Sequence, residues 1–180
     1  MSGRFIAVVG PSGVGKDSVI EALAASDSRF TLARRVITRP SDAGGEAFDG
    51  VTEAEFHHRA DAEDFALHWP AHGLHYGIPR SVDEVLAQGN DVLANLSRAV
   101  LLEAQARFVR FEVINLTATH DVLAARLASR ARETPEQISA RLDRAAPALP
   151  AGIRIHSTDN NRALEQTVQD IRVLLYPVSA

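Results

Sequence analysis

Residues Gly10 to Ser18 read GPSGVGKDS and follow directly on the apolar run Phe5-Ile6-Ala7-Val8-Val9. A strand feeding a glycine-rich loop that ends in lysine constrains this chain more than any other feature in it. Glycines let the backbone turn tightly and bring its N–H groups against an anion. The helix that begins near Lys16 and continues through Val19-Ile20-Glu21-Ala22-Leu23 points its positive end at the same place. Lys16 adds a point charge for outer phosphates. This is the pattern of a P-loop, a cradle for the phosphates of a nucleotide such as ATP. Its candidate binding residues are Gly10, Pro11, Ser12, Gly13, Val14, Gly15, Lys16, Asp17 and Ser18. An ordinary glycine turn would not require the lysine, the preceding strand and the following helix together.

One position departs from the usual pattern. The residue after the lysine is normally Ser or Thr, whose hydroxyl helps hold Mg²⁺. Here it is Asp17, with Ser18 next. Either is a candidate Mg²⁺ ligand, Ser18 through its hydroxyl or Asp17 directly or through water. Asp17 equally suits a helix's first turn as a favourable acid.

The chain has 180 residues, 46% of them hydrophobic, enough for one core and so one domain. The formal net charge of −4, without a dense basic tract, gives no sign of a nucleic-acid partner. The absence of cysteine excludes disulfides, thiolate metal sites and cysteine nucleophiles, and suits a cytoplasmic protein. The apolar run before the loop is too short for a signal peptide, and no other stretch suits a membrane.

Strand-like and helix-like segments alternate along the chain. Strands are predicted at Phe5–Val9, Val92–Leu96, Val109–Leu116 and Gly152–His156, and Thr31–Thr38 reads as extended. Helices are predicted at Lys16–Ala25, Glu53–Arg59, Ala62–Leu67, Ser81–Ala87, Arg98–Arg107, Asp121–Arg130, Pro135–Ala145 and Arg162–Leu175. Ser41 to Gly50 is a loop, and Trp69 to Pro79 is turn-rich with short strands. Such alternation predicts an α/β fold, a mainly parallel sheet with helices on both faces. Ligands in such folds sit beyond the carboxyl ends of the strands, where the P-loop lies.

Three arginine groups lie outside the loop: Arg34, Arg35 and Arg39; Arg126, Arg130 and Arg132; Arg141 and Arg144. Helical spacing puts Arg126 and Arg130 on one face, and likewise Arg141 and Arg144. Phosphoryl transfer needs positive charge on both the transferred group and the acceptor, and arginine forks suit phosphate oxygens. Glu133, Glu136 and Asp143 offer the later arginines local ion pairs instead.

With these residues in view, the chain resembles the guanylate kinase family over nearly its full length. The matching pieces are GPSGVGK at 10–16, TRP at 38–40, Gly45-Glu46, HYG at 75–77, RLASR…ETPEQISARL at 126–142, and Asp159-Asn160-Asn161 before the last helix. The resemblance implies a nucleoside-monophosphate-kinase-like three-layer fold with a parallel central sheet. Its core would comprise 1–38, 90–128 and 151–180, its acceptor-binding region about 39–89, and its mobile lid about 129–150. It implies transfer of the γ-phosphoryl of MgATP to an acceptor.

The departures fall in the acceptor region. Where that family reads guanine with a glutamate and a serine, this chain holds His68 and Ile78. An acid on the third core strand is replaced within Leu93-Ala94-Asn95-Leu96-Ser97, and the second arginine of the phosphate clamp is missing near Ser41-Asp42. A pocket built to hydrogen-bond a base loses most affinity without those partners. With the GKDS ending and the strand VLANLSRAV, the chain resembles the branch that converts ribose 1,5-bisphosphate to 5-phosphoribosyl 1-diphosphate in phosphonate catabolism. A guanylate or other nucleoside monophosphate kinase, and a non-catalytic binding module, are the alternatives.

The resemblance implies these roles: Lys16 on the ATP phosphates, Asp17 or Ser18 on Mg²⁺, Arg35 and Arg39 on the acceptor phosphates, Arg130 and Arg141 closing from the lid. His75 and Tyr76 line the acceptor pocket or serve packing and turn roles. His68, His72 and His75 are spaced by four and three, but Pro70 and Gly73 prevent one regular helix from presenting them, so a zinc site is not expected there.

Overall fold

The computed structural model describes residues 2–42, 47–129, 134–143 and 148–177, residue 141 by its backbone alone. Strand β1 (Phe5–Val9) is buried along its whole length. It occupies the middle of a five-stranded parallel sheet ordered β2-β7-β1-β8-β9, with β2 at Phe30–Leu32, β7 at Asp91–Asn95, β8 at Phe111–Thr117 and β9 at Arg154–Asp159. A central parallel strand is covered on both faces, which is why its sequence runs apolar without alternation. Ile6 and Val8 pack with Leu93, Ile114 and Leu116 against helix α1 (Lys16–Ser26) and helix α7 (Leu164–Leu175). Phe5, Ala7 and Val9 pack on the opposite face with Val92, Ala94 and Val113, and there the Phe5 ring stacks on Phe108 at 3.9 Å.

That second face also receives a smaller sheet, ordered β4-β3-β6-β5. It comprises β3 (Val36–Ile37), β4 (Asp49–Gly50), β5 (Phe65–Ala71) and β6 (Leu74–Pro79). β5 and β6 form a hairpin whose turn, His72-Gly73, has positive φ at both residues, 52° and 73°. Such turns match the twist of the strands they join. Trp69 pairs with Tyr76 and Leu67 with Ile78, and this set packs into the core. His68, Pro70 and His75 alternate onto the other face, toward helix α2 (Glu53–Asp61). Gly77 lies on that same face, where a Cβ would come within 2.6 Å of the Phe65 ring.

The predicted helix over Ala62–Leu67 is not formed. α2 ends at Asp61, Glu63 adopts φ of 57°, and Phe65 begins a strand whose register shifts between Phe65 and Leu67, so that Phe65 packs on Phe56 while Leu67 and Trp69 pack into the core. The extended segment Thr31–Thr38 is divided, because β2 pairs in the large sheet and β3 in the small one. The helix predicted at Arg98 opens as a tight 3₁₀ turn over Arg98–Val100 before α4 (Leu101–Arg107). The remaining helices are α3 (Val82–Ala87), α5 (His120–Ser129) and α6 (Pro135–Leu142), the last with a Thr134–Gln137 capping box. No helix among the described residues is long and apolar enough to cross a membrane.

At the amino edge of the large sheet a buried ionic cluster ties the termini together. The Arg4 guanidinium donates to Asp91 through Nε at 3.0 Å and Nη2 at 2.6 Å, and through Nη1 to the carbonyl of Leu175 at 3.0 Å. Tyr176 also donates its hydroxyl to Asp91. Burial would push the Asp91 carboxyl up, but the hydrogen bonds from Arg4 and Tyr176 hold it below its usual range. Removing one partner of such a buried pair costs about 3–5 kcal/mol, and Asp91→Asn is expected to lower the unfolding free energy by an amount of that order, with a matching fall in Tm. A carboxyl with a depressed folded pKa stabilises fully above its unfolded value of about 3.9, and that stability is lost as pH falls through the folded value. The variant's stability measured from pH 6 downward is therefore expected to fall less steeply than the wild type's below about pH 4.

Candidate active site

The loop after β1 wraps a closed anion cradle. Gly13 and Gly15 take φ of 83° and 93°, left-handed values that a side chain would strain. A Cβ on Gly15 would also lie 2.9 Å from Asn160 Nδ2. Gly15 caps α1 without a side-chain hydrogen bond, so the helix's first N–H groups open into the loop. Lys16 folds back across it, donating to the carbonyls of Gly10 at 2.9 Å and Pro11 at 3.3 Å.

The loop is braced from behind. The Val14 carbonyl accepts from Asn160 Nδ2 at 2.7 Å and from Arg126 Nη1 at 3.2 Å. Arg126 Nη2 also donates to the Asn160 carbonyl at 2.6 Å, and Thr167 donates to Asn160 Oδ1 at 2.8 Å. Arg126 thus joins α5 to the loop's backbone. Asn160, buried just before α7, had its signal in the Asp159-Asn160-Asn161 stretch.

Asp17 and Ser18 separate on the first turn of α1. Asp17 Oδ1 accepts from the Asn95 amide at 2.8 Å, at the carboxyl end of β7, whereas Ser18 is exposed. Both residues supply oxygen ligands, the donor type that suits Mg²⁺, but Asp17 alone is joined to the adjacent strand end.

A cleft of about 440 Å³ opens between the loop, the end of β7 and the β5–β6 hairpin. Lys16, Arg35, His72, Asn95 and Arg98 supply its polar wall, and Trp69 and Tyr76, stacked at 5.6 Å, its aromatic wall. Arg35 is buried, donates to the Asn95 carbonyl at 3.1 Å and lies 5.1 Å over the Tyr76 ring. Arg98 leaves β7 through the tight turn capped by Ser97 and donates to Asn115 Oδ1 at 3.0 Å. No described residue lining this cleft carries a carboxylate. Asn95 and Arg98 lie in the VLANLSRAV stretch that carries the branch resemblance, but neither is given an individual role from the sequence; their place, at and just beyond the carboxyl end of a core strand, is the signal for one.

Arg39 and His75 line a different cleft, of about 500 Å³, together with Thr38, Thr52 and Glu53. The Arg39 guanidinium lies 4.2 Å over the Phe48 ring. Arg35 and Tyr76 therefore share the P-loop cleft, while Arg39 and His75 border the neighbouring one. His68 is exposed beside Phe56 and Phe65, and Ile78 is fully buried; neither lines either cleft. Gly45-Glu46, Arg130, Arg132, Arg144 and the Arg141 side chain lie outside the described residues.

Comparison with known proteins agrees with this geometry. The family model for guanylate kinase matches residues 2–175. A ribose 1,5-bisphosphate phosphokinase of Ruegeria sp. strain TM1040 is 52% identical over 174 residues, covering 96% of this chain and 92% of that protein. A bifunctional ribose 1,5-bisphosphokinase-thymidine phosphorylase of Cupriavidus necator is 47% identical over 91% of this chain, a match that spans 28% of the longer protein. Among solved structures, guanylate kinase from Anaplasma phagocytophilum superposes with a TM-score of 0.69 over 97% of this chain and 85% of its own, at 15% identity. The strand-fed phosphate loop, the parallel sheet around it and the family match over nearly all residues have one meaning: this chain belongs to the guanylate kinase family.

Proposed function

We propose that this protein is an ATP-dependent ribose 1,5-bisphosphate phosphokinase, producing 5-phosphoribosyl 1-diphosphate and ADP. The observation that carries the reading is a cleft beside the phosphate loop whose described lining brings together Lys16, Arg35 and Arg98, in a chain 52% identical to a protein of that name. An acceptor with two phosphates and no base matches such a wall of cations, and His68 and Ile78 stand where the family's guanine-reading glutamate and serine would be. The place of the reaction in phosphonate catabolism and in the cytoplasm belongs to the same proposal.

A phosphate monoester has its second pKa near about 6, so the anomeric phosphate is a nucleophile at neutral pH and needs no general base. One of its oxygens attacks the γ-phosphorus of ATP, and the bond from that phosphorus to the β-bridging oxygen breaks to release ADP. The protein's work is positioning and charge stabilisation. Loop amides and Lys16 hold the ATP phosphates. Asp17, oriented by Asn95, is the better-placed Mg²⁺ ligand, with Ser18 the alternative. When bound, the ion neutralises charge between the β- and γ-phosphates. Arg35, joined through Asn95 to Asp17, is assigned the reacting 1-phosphate, and Arg98, anchored on Asn115, the 5-phosphate. Tyr76 and Trp69 wall the sugar. Arg39 borders the acceptor region, about 39–89, and Arg130 and Arg141 close from the lid, about 129–150, over the core.

The direct test is MgATP with ribose 1,5-bisphosphate or GMP in parallel, products separated. Each unmatched polar group on a buried ligand costs about 1–3 kcal/mol. The bisphosphate is therefore expected to exceed GMP by about a hundredfold or more in kcat/KM, and equal turnover of the two would overturn the assignment.

Lys16→Ala is expected to lower kcat by about a hundredfold or more, since preorganised charge on the outer phosphates is worth about 3 kcal/mol of barrier. Circular dichroism should be unchanged. Retention of over half the wild-type kcat at saturating ATP would remove Lys16 from the transfer step.

Arg98→Ala separates the two phosphates of the acceptor. Loss of a charged hydrogen bond costs about 1.5–3 kcal/mol, so kcat/KM for ribose 1,5-bisphosphate is expected to fall about ten- to a hundredfold. On ribose 1-phosphate, which lacks the 5-phosphate, variant and wild type should agree within about threefold. Equal losses on both substrates would assign Arg98 elsewhere.

A further inference from the structure

Three metal-ligating side chains converge where α2 meets β6, outside the P-loop cleft. Glu53 and His57 stand four residues apart on α2 and so share one helical face. His75 projects from β6 toward that face. Glu53 Oε1 is 3.8 Å from His57 Nε2 and 3.7 Å from His75 Nε2. One ligand atom from each residue lies within 4.8 Å of the other two, and the two imidazole rings meet edge to face at 4.9 Å. The carboxylate stands beyond hydrogen-bond length from both imidazoles, so the three groups border a common space.

We propose that Glu53, His57 and His75 form a binding site for a zinc-class divalent transition ion. Two imidazoles and one carboxylate are ligands that zinc accepts, with a water in the fourth place. Tetrahedral bonds of about 2.0–2.1 Å put donor atoms about 3.4 Å apart. Contraction from the observed spacing asks only for rotation of Glu53 and His57, both more than half exposed at 72% and 55%. His75 is the fixed point. Its backbone N–H donates to Thr38 Oγ1 at 2.9 Å, its carbonyl accepts from the Thr38 N–H at 3.1 Å, and its ring lies 5.4 Å from that of the buried Phe56. Two imidazoles disfavour Mg²⁺, which takes oxygen ligands in near-ideal octahedra. This site is therefore chemically distinct from the oxygen ligands at Asp17 and Ser18. A bound ion would tie α2 to β6 at the rim of the cleft that contains Arg39. The proposal does not depend on the identity of the phosphoryl acceptor.

The test uses the tag-free full chain without nucleotide, in excess Mg²⁺. Titration with Co²⁺ is expected to produce a visible d–d absorption that saturates at one equivalent, and Zn²⁺ should displace it. Calorimetry with Zn²⁺ should give one site whose affinity falls at least tenfold in His57→Ala and in Glu53→Gln. His68→Ala, which removes a nearby imidazole outside the cluster, should bind as the wild type does. Circular dichroism of each variant without metal verifies the fold. Wild-type protein without the cobalt band, an unaltered Zn²⁺ affinity in His57→Ala, or equal loss in His68→Ala would overturn the proposal.

Discussion

The phosphate loop depends on a carbonyl that α1 itself does not satisfy. Val14 lies between two left-handed glycines, and its oxygen points back into the protein, where Asn160 and Arg126 receive it. Without those donors a buried carbonyl would go unpaired, at about 1–3 kcal/mol, in a loop that has already lost glycine's large conformational entropy. The donors come from α5 and from the turn before α7, segments more than a hundred residues away in sequence. The loop's shape is thus a tertiary property: β1 sets where it begins, and the far end of the chain holds it there. A functional helix start with no side-chain cap is tolerable under that constraint, because the brace rather than the cap defines the turn.

Charge is arranged by locality. The chain as a whole carries −4, yet the cleft beside the loop is lined by Lys16, Arg35 and Arg98, and none of its described lining residues is an acid. Among the described contacts, Lys16 donates to loop carbonyls, Arg35 to the Asn95 carbonyl and Arg98 to the Asn115 amide oxygen. Neutral acceptors orient a cation without cancelling its charge. Of the described acids, Asp91 pairs with Arg4 at the opposite edge of the sheet and Asp17 stands at the beginning of α1. Two anionic substrates meeting in one cleft repel one another, and a wall built this way offsets that repulsion where it arises.

What was legible in the sequence follows from how local the physics is. The loop could be read because its glycines, lysine, strand and helix are contiguous, and each element has a local reason. β1 could be read because burial on both faces leaves an uninterrupted apolar run, and β8 because Val109–Leu116 alternates. The segment Ala62–Leu67 was misread as helix, since a short apolar stretch fits either period until the Glu63 turn and its pairing with β6 select the strand. Arg35 and Arg39 looked like one cluster, four residues apart, but β3 carries the chain between sheets and the two reach different clefts. Arg98 reads as the start of a helix, and only the VLANLSRAV resemblance singles out its stretch, because nothing local marks an arginine that a strand end carries into a cleft. Asn95 reads as a strand residue at the place of a replaced acid, and the parallel register aligns it with Val8, ahead of the loop.

The hairpin shows why side-chain roles in the acceptor region resisted a linear reading. His75 and Tyr76 are neighbours, and the HYG triplet invites treating them as one unit. On a strand they face opposite ways, and the pairing of Trp69 with Tyr76 decides which way. Tyr76 therefore joins Trp69 and Arg35 on the side of the P-loop cleft, and His75 joins Phe56, His57 and Glu53 on the side of α2. A slip of one residue would exchange them, placing an imidazole against Arg35 and a phenol beside Glu53. The register is held against that slip by Gly77, where the Phe65 ring leaves no room for a Cβ, and by Ile78, fully buried on the core side. Two residues with no polar chemistry of their own thus determine which chemistry each cleft receives.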